Sequence, residues 1–469
     1  MKFDINDQIK HSENKVLHES AGGFIFYEDR YSHLLSVTLL RTDDNKLVIP
    51  KGHLKHGETP EDAALREIME ELSLSVKPIL ISKLDIDIYD FTLDETGIIH
   101  HKDVHLFVYQ LINKEDINPA KNEGLSSAEW INFDDALDTI TFDRNNLLKA
   151  RQIFYYYKRV KIFKDISDIK SLTIAIPTYN GSSTILDTIS SLEKEFEELS
   201  KYFSIEFIIC TDHCTDDTFV KVKNLFSHLD TNKSIKRILM ENTGPKGKSS
   251  VLNAIYKRST GEMFCVIDDD ILLEKSTLLR LMQSLIDNPD LHCVFAAWKR
   301  LALQGFNPWK KFWHWILGIK FDIQPYDKRS EIVRGPCLMY RRESYVYLPR
   351  DEVFNEDQFI QYIYWPQTME VQQAIIYFNS VSSIRDYYKR FIRIMYGDIQ
   401  LNKYFAKERV QECRKDLFRK LDYNKIFKLP WKYKIPFLFY RFVRYFVSMI
   451  VKIKLSSNKN YEWFRIKQS

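Results

Sequence analysis

Apolar residues follow two different patterns along the chain, and the first covers residues 20–160. Short apolar runs predict strands at residues 23–27, 34–40, 80–89 and 104–111, and amphipathic runs predict helices at 60–72 and 143–161. In the helix at 60–72, apolar residues recur at the spacing i, i+3, i+4 and i+7, which places them on one face. The pattern predicts an α/β unit in which this helix packs on a core.

The second pattern begins at Ser171, where short apolar strands alternate with helices. The predicted strands are 172–176, 205–210, 238–240 and 263–267, and the helices between them are 183–199, 216–226 and 249–257. Such alternation predicts a mostly parallel, Rossmann-like sheet, whose ligands bind at the carboxyl ends of the strands. The predicted organisation is a domain at 1–160, a charged linker at 161–170, a second domain at 171–400 and a helical, basic and aromatic region at 401–469.

Composition excludes several classes of protein. Hydrophobic residues make up 45% of the 469 residues, which is enough for two or three cores and too much for a disordered chain. A net charge of +4 and the lack of a recognised motif argue against a nucleic-acid partner. The polar N-terminus lacks the apolar segment of a signal peptide, so a cytoplasmic location is expected.

The six cysteines form no CxxC pair, and most lie in apolar runs. Buried, reduced thiols are therefore expected, which fits a reducing compartment. The alternative is a zinc site at Cys210, His213 and Cys214. It is disfavoured because no second pair of ligands follows at the usual spacing.

Acidic residues cover the polar face of the helix predicted at 60–72. Glu67, Glu70 and Glu71 lie within about one turn of each other, so their charges repel unless a cation lies among them. Carboxylate oxygens suit Mg²⁺ or Mn²⁺, and such an ion neutralises a pyrophosphate and activates water. Read alone, the cluster also fits a solvated acidic helix face.

The segment from Gly52 to Leu74 resembles the Nudix box, GX5EX7REUXEEXGU, in which U is apolar. The matching positions are Gly52, Glu58, Arg66, Glu67, Ile68, Glu70, Glu71 and Leu74. Ser73 replaces the last glycine, in a left-handed turn where serine costs about 1 kcal/mol. The resemblance implies an α/β/α sandwich that hydrolyses a nucleoside diphosphate-linked compound.

Carried over by position, the Nudix resemblance assigns a role to each of these residues. Glu67, Glu70 and Glu71 would be both catalytic residues and metal ligands, and Arg66 would orient them. Glu58 would be an outer metal ligand, and the carbonyl of Gly52 would reach the metal. The implied cofactor is Mg²⁺ or Mn²⁺, because both ions accept these ligands.

A second acidic cluster follows the strand predicted at 263–267. Asp268, Asp269 and Asp270 come directly after it, and Asp268 and Asp270 share one side of an extended chain. Such carboxylates at the rim of a sheet suit a divalent ion bridged to a diphosphate. The alternative is a solvated turn.

The motifs around this cluster resemble those of family-2 glycosyltransferases of the GT-A type. They are IPTYN at 176–180, TDHCTDDT at 211–218, GKSSVLN at 247–253 and DDD at 268–270, followed by RGPCLMYRRE at 334–343 and the pair Glu356-Asp357. The resemblance implies inverting transfer of a hexosyl or related group from a nucleotide-sugar to an acceptor hydroxyl, in surface glycan or polysaccharide synthesis. RFIRI at 390–394 replaces the QxxRW element of processive members, so single-sugar transfer is expected.

The same resemblance assigns the residues of the second site. Asp268 and Asp270 would hold Mg²⁺ or Mn²⁺ and the diphosphate, and Asp357 would accept the proton of the acceptor hydroxyl. The remaining donor contacts would be Pro177, Tyr179, Asp212, Lys248 and Gly335. Because His213 and Cys214 replace the usual glycine and serine, the contact of Asp212 with the base is the least secure.

The basic, aromatic segment at 431–455 has two interpretations. It predicts either a helix lying in a membrane interface, with its arginines and lysines at the headgroups, or a helix packed on the catalytic domain. In the first case the protein would be peripheral at the inner face of the cell membrane, and the acceptor would be lipid-linked. For the whole chain, the alternative to a bifunctional enzyme is a glycosyltransferase regulated by a non-catalytic, nucleotide-sensing Nudix domain.

Overall fold

The computed structural model describes residues 15–29, 34–92, 99–120, 124–158, 162–229, 232–301, 307–322, 333, 335–349, 355–417 and 430–457. The chain divides into two compact units, Met1–Lys158 and Arg159–Ser469. Each unit has its own sheet and its own core.

The first unit is built on a mixed sheet. Its strands are β1 (Lys15–Glu28), β2 (Leu35–Thr42), β3 (Leu47–Val48), β4 (Lys51–His53), β5 (Ile79–Thr92), β6 (Ile99–Gln110) and β7 (Leu125–Asn132). The order is β3-β2-β1-β6-β5, with β4 paired to β1 and β7 to β2. Only β1 and β6 pair in parallel among these described strands.

Helices cover both faces of this sheet. They are α1 (Pro60–Glu71), α2 (Phe133–Thr139) and α3 (Arg144–Tyr156). Ile25 of β1 packs in the core beneath α1. Its neighbour Phe26 points to the other face, where its ring lies 6.4 Å from Phe133 of α2 and 5.3 Å from Phe154 of α3. The predicted α/β/α sandwich is confirmed.

The sheet of the second unit combines a parallel half with a mixed half. Its strands are β8 (Ser171–Thr178), β9 (Ser204–Thr211), β10 (Ile235–Glu241), β11 (Met263–Ile267), β12 (Ile271–Leu273), β13 (Cys293–Arg300), β14 (Cys337–Arg341) and β15 (Thr368–Phe378). The order is β10-β9-β8-β11-β14-β13-β15-β12, and β10, β9, β8 and β11 run parallel. Because β8, β9 and β11 end at one edge, the segments that follow them meet there.

Helices surround this sheet and continue beyond it. They are α4 (Ile185–Leu199), α5 (Thr218–His228), α6 (Lys248–Arg258), α7 (Thr277–Asp287), α8 (Pro308–Asp322), α9 (Glu356–Tyr364), α10 (Ile384–Tyr404), α11 (Lys407–Leu417) and α12 (Trp431–Ser457). The predicted Rossmann-like fold with a helical C-terminal region is confirmed. All six cysteines carry free thiols, and Cys214 alone among them is partly exposed.

Helices α8, α10 and α12 form a separate small core. Phe437, Tyr440, Val443 and Val447 of α12 are buried in it. They recur every three or four residues, so one face of α12 packs on the unit. No helix among the described residues is long and apolar enough to cross a membrane.

Two parts of the structure lie across predicted domain boundaries. Helix α10 runs through residue 400, where the second domain was expected to end. The expected linker at 161–170 contributes Phe163 and Ile169 to the core of the second unit. Both differences arise because the apolar residues at these positions pack on elements that are distant in sequence.

Candidate active sites

Helix α1 begins and ends with well-formed caps. Its first turn has Pro60, and the backbone N–H of Asp62 donates to Oγ1 of Thr59 over 3.2 Å. At its C-terminus, Ser73 has φ 50°, and the amides of Ser73 and Leu74 donate to the carbonyls of Glu70 (3.3 Å) and Met69 (3.1 Å). This is a Schellman motif, so Ser73 occupies the left-handed position where the box has glycine.

Arg66 organises the carboxylates along α1. Its Nε and Nη2 donate to the two carboxylate oxygens of Glu58, both over 2.8 Å. Its Nη1 donates to Glu67 over 2.6 Å and to Glu70 over 3.3 Å. The hydrogen bonds from Arg66 lower the pKa of Glu58 to about 2. Three of the four predicted carboxylates, those of Glu58, Glu67 and Glu70, are therefore gathered on one guanidinium.

Strand β4 brings the backbone against these carboxylates. The amide of Lys51 donates to Oε2 of Glu71 over 2.8 Å. A Cβ atom at Gly52 would lie 2.1 Å from the carboxyl carbon of Glu67, so a larger residue there would displace this carboxylate. The structure thus places Gly52 in direct contact with the acidic face of α1.

Three histidines that sequence reasoning missed lie near this face. Nε2 of His18 and Nδ1 of His100 are 2.8 Å apart and share a hydrogen bond, and the rings of His18 and His53 are 5.8 Å apart. Burial, Lys102 and His18 lower the pKa of His53, while Glu67 opposes them. The three come from β1, β4 and β6, so no local pattern in the sequence joins them.

In the second unit, Asp212 is buried at the carboxyl end of β9. It accepts hydrogen bonds from the side-chain amide of Asn242 (2.8 Å) and the backbone amide of Gly247 (2.9 Å). Nδ1 of the adjacent His213 lies 3.0 Å from Asp212, and His213 adopts φ 51°. Glycine adopts this left-handed backbone without strain, which fits the glycine that the motif of the resemblance has at this position. Asn242, which fixes Asp212, was not predicted.

The loop after β8 lies at the same edge. Nζ of Lys246 lies 3.1 Å from the hydroxyl of Tyr179 and 4.3 Å from its ring centroid, so it forms a cation–π contact. Pro177 belongs to the buried end of β8, and the neighbouring Thr178 donates to Asp269. Tyr179, a predicted contact of the nucleotide-sugar, therefore lies against the basic side chain of Lys246.

Lys248 joins the two acidic segments of the second unit. Its Nζ lies 2.7 Å from Asp268 and 2.5 Å from Glu356. Burial lowers the pKa of Lys248, but the two carboxylates outweigh this effect and raise it above the usual lysine value. The structure thus brings together the start of α6, the end of β11 and the start of α9.

Asp357 lies next to this junction. Its carboxylate accepts from the backbone amides of Gly335 (3.1 Å) and Gln358 (2.8 Å). Burial and the charge of Glu356 raise the pKa of Asp357 to about 7, although Lys248 opposes them. The negative charges of Asp270 and Asp357 both favour the charged form of Arg390 in α10, so the three side chains lie in one region.

Both clusters offer the hard oxygen donors that Mg²⁺ and Mn²⁺ prefer. Within the described ranges, no three His, Cys, Asp or Glu side chains are arranged to hold a metal ion. The chemical type of the predicted ligands nevertheless suits such an ion. At Gly52 a missing side chain lets the backbone approach the carboxylates, and every predicted ligand is an oxygen atom.

Comparison with known proteins gives a separate line of evidence. A sequence model of the NUDIX domain matches residues 16–150, and one of glycosyl transferase family 2 matches residues 173–348. The probable glycosyltransferase YdaM of Bacillus subtilis (strain 168) is 25% identical over 136 residues, which are 29% of this chain and 31% of that protein. The chain thus matches about a third of the length of this curated relative.

Two solved structures match parts of the chain. The mannosyltransferase PcManGT from Pyrobaculum calidifontis, solved with GDP-Man and Mn²⁺, is 17% identical with a TM-score of 0.40, over 70% of this chain and 87% of that chain. The Ap4A hydrolase of C. elegans, solved as a binary complex, is 20% identical with a TM-score of 0.24. That match covers 29% of this chain and 96% of the hydrolase.

The fold and the two clusters define a protein of two α/β units, one with carboxylates gathered along helix α1 and the other with carboxylates at one edge of its sheet. The chain is a fusion of a NUDIX domain with a glycosyl transferase family 2 domain. Both resemblances drawn from the motifs are confirmed.

Proposed function

We propose that this protein is a bifunctional enzyme. Its NUDIX domain hydrolyses a nucleoside diphosphate-linked compound, and its second domain transfers a hexosyl or related group from a nucleotide-sugar with inversion. The observation that carries the proposal is the junction at Lys248, which joins Asp268 and Glu356 beside Asp357. A separate cluster at Arg66 supports the hydrolase.

In the hydrolase, Glu67, Glu70 and Glu71 would hold Mg²⁺ or Mn²⁺, with Glu58 as an outer ligand and the Gly52 carbonyl facing the ion. When bound, the ion supplies charge neutralisation of the pyrophosphate and a water of lowered pKa. Arg66 orients Glu58 and Glu67 through hydrogen bonds of 2.6–2.8 Å. The Lys51 amide fixes Glu71. Because these carboxylates are held by the protein, one of them can accept the proton of water from a defined position. The water oxygen forms a bond to phosphorus, and the P–O bond of the pyrophosphate breaks with its electron pair leaving on the released phosphate group.

In the transferase, Asp268 and Asp270 would hold the ion that stabilises the diphosphate leaving group. Asp357 accepts the proton of the acceptor hydroxyl, whose oxygen forms a bond to the anomeric carbon. The bond from that carbon to the diphosphate breaks, and its electron pair leaves with the nucleoside diphosphate. The Gly335 and Gln358 amides orient Asp357, and its raised pKa makes it a stronger base than an exposed aspartate.

On the donor side, Tyr179 and Lys246 offer a ring and a cation to the nucleotide. Pro177, at the end of β8, shapes the backbone there, and Gly335 leaves space beside Asp357. Asp212 accepts hydrogen bonds from Asn242 and Gly247. These hydrogen bonds support a role for Asp212 in holding the loop before α6 as well as in contacting the base. Through its contacts with Asp268 and Glu356, Lys248 links the donor side to the acceptor side beside Asp357.

A cavity supports a lipid-linked acceptor. It encloses about 120 Å³ between α8, α10 and α12, and its walls include the apolar Leu317, Phe391 and Ile394 and the cations Arg390 and Arg444. None of its described lining residues is acidic. Arg390 also interacts with the charges of Asp270 and Asp357. An acceptor with an apolar chain and a phosphate matches this lining, at a membrane surface on the cytoplasmic side.

The proposal is tested with the full chain, Mg²⁺ or Mn²⁺, and a panel of nucleotide-sugars and dinucleoside polyphosphates. Products are identified by mass spectrometry for the wild type, Glu71→Gln and Asp270→Ala. Loss of pyrophosphate cleavage only in Glu71→Gln, and of nucleoside diphosphate release only in Asp270→Ala, supports two active sites. A wild type that binds nucleotides without cleaving any pyrophosphate would instead favour a regulatory NUDIX domain.

A further inference from the structure

One side of α12 is buried, and the other side is an exposed apolar surface. Ile435, Leu438, Phe442, Tyr445, Phe446, Met449 and Ile453 are all exposed. Phe442 is 66% and Tyr445 72% exposed. Six of them recur every three or four positions and Phe446 follows Tyr445 directly, so together they form a stripe about 27 Å long. Single exposed apolar residues are normal on a protein surface, but a continuous stripe is not.

Helix α8 extends this stripe sideways. Trp309, which is 67% exposed, stacks on Phe312 with ring centroids 5.6 Å apart. Phe312 in turn lies 6.2 Å from Phe439 of α12, which is itself exposed. We call the seven α12 residues together with Phe439 and Trp309 the α8–α12 face.

The charged residues of α12 all have one sign. Helix α12 carries Lys432, Lys434, Arg441, Arg444, Lys452 and Lys454, and the chain has no acidic residue between Asp422 and Glu462. Lys310 and Lys311 add positive charge on α8. Nζ of Lys434 lies 4.7 Å from the ring centroid of Trp431, so a cation and an aromatic ring share the first turn of α12.

We infer that the α8–α12 face docks on an anionic lipid surface, with α12 parallel to the membrane. Aromatic and aliphatic side chains enter the boundary between headgroups and acyl chains, and lysines and arginines meet the phosphates. The buried face of α12 is held by Phe437, Tyr440 and Val443, so the helix stays on the protein while its outer face meets lipid. The inference specifies the membrane contact of the proposed function, and rests on it for the location of the acceptor.

A second copy of the chain is the other occupant that the apolar stripe would fit. Two such faces would bring their basic residues together in an interface without an acidic partner from α12, which is unfavourable. Phospholipid headgroups supply the missing negative charge. The charge pattern therefore selects lipid over self-association.

The cavity described above is consistent with this arrangement. Leu317 of α8 and Arg444 of α12 belong to its walls, so the two helices that carry the face also enclose the cavity. Ser380, another wall residue, is buried, and its hydroxyl has no hydrogen-bond partner among the described residues. A lipid phosphate that enters from the membrane would find a hydroxyl donor and two guanidinium groups there.

The test is flotation of the full chain with vesicles of phosphatidylcholine alone or mixed with phosphatidylglycerol. We expect binding to the mixed vesicles and little to phosphatidylcholine, with a decrease at high salt. Phe442→Glu and Tyr445→Glu should each weaken binding about tenfold or more, since each places a carboxylate in the interface. Tyr202→Glu is the matched control, because Tyr202 is 75% exposed in the loop after α4.

Equal flotation of wild type and the two α12 variants would overturn the inference. The inference would also be overturned if the wild type bound no vesicles but formed a concentration-dependent dimer in analytical ultracentrifugation, and if Tyr445→Glu dissociated that dimer. Nucleoside diphosphate release from the donor, measured without vesicles, should be the same in all variants. If vesicles bind but no donor is turned over, the transferase proposal fails and the docking surface stands.

Discussion

The ammonium group of Lys248 lies 2.5 Å from the carboxylate of Glu356, and so joins the first turn of α6 to the first turn of α9. The same nitrogen is 2.7 Å from Asp268, at the end of β11. The three residues are far apart in sequence, and each ends or begins an element at one edge of the sheet. Lys248 therefore balances the negative charge on which the proposed chemistry depends.

Asp357 should make transfer depend on pH. Its pKa, raised to about 7 by burial and by Glu356, means that the carboxylate loses its charge as the pH falls through 7. If Asp357 is the base, kcat/KM rises about tenfold per pH unit below 7 and is constant above it. A pH–rate profile of sugar transfer measures this. A profile that is flat between pH 5 and 8 would exclude Asp357 as the base.

Lys248→Met should move this profile to higher pH. Lys248 lowers the pKa of Asp357, and its loss also leaves the charge of Glu356 uncompensated. Both effects make Asp357 harder to ionise. Lys257→Met is the control, because Lys257 is exposed near the end of the same helix. A lower rate with an unshifted profile would mean that Lys248 acts on the substrate and not on Asp357.

Ser73→Gly should stabilise the NUDIX domain. Ser73 has φ 50° at the end of α1, and a left-handed residue other than glycine costs about 1 kcal/mol. The free energy of unfolding should rise by about that amount, seen as a higher calorimetric transition temperature of the full chain. Ser73→Ala keeps the Cβ atom and should show no such gain. An equal gain in both variants would contradict the backbone explanation.

Arg390→Gln should weaken binding of a lipid-linked acceptor. Arg390 lines the cavity, and burial and Arg393 lower its pKa, although Asp270 and Asp357 oppose them. Loss of a charge-assisted hydrogen bond to a phosphate should raise the acceptor KM about tenfold or more. Nucleoside diphosphate release from the donor in the absence of acceptor should change less than the acceptor KM.

The matched control for Arg390→Gln is Arg385→Gln, since Arg385 is exposed on the same helix. An equal increase of the acceptor KM in both variants would point to the net charge of α10. It would not support a site at Arg390.

The sequence determined the local parts of this protein. The spacing from Gly52 to Glu71 fixes a capped helix with carboxylates on one face, because a helix repeats every 3.6 residues. The alternation after Ser171 predicts strands that end shortly before Tyr179, Asp212 and Asp268. These features depend only on neighbours in the chain.

Only the tertiary structure decided which of these parts meet. The contact of Lys248 with Glu356 spans 108 residues of chain, the histidines at 18, 53 and 100 come from three strands, and Asn242 reaches Asp212 across two strand ends. The burial of Phe163 and of one face of α12 depends on packing against elements that are distant in sequence. A one-dimensional pattern states which residues can be buried or charged, but their partners depend on how the sheet is ordered and how the helices cross it.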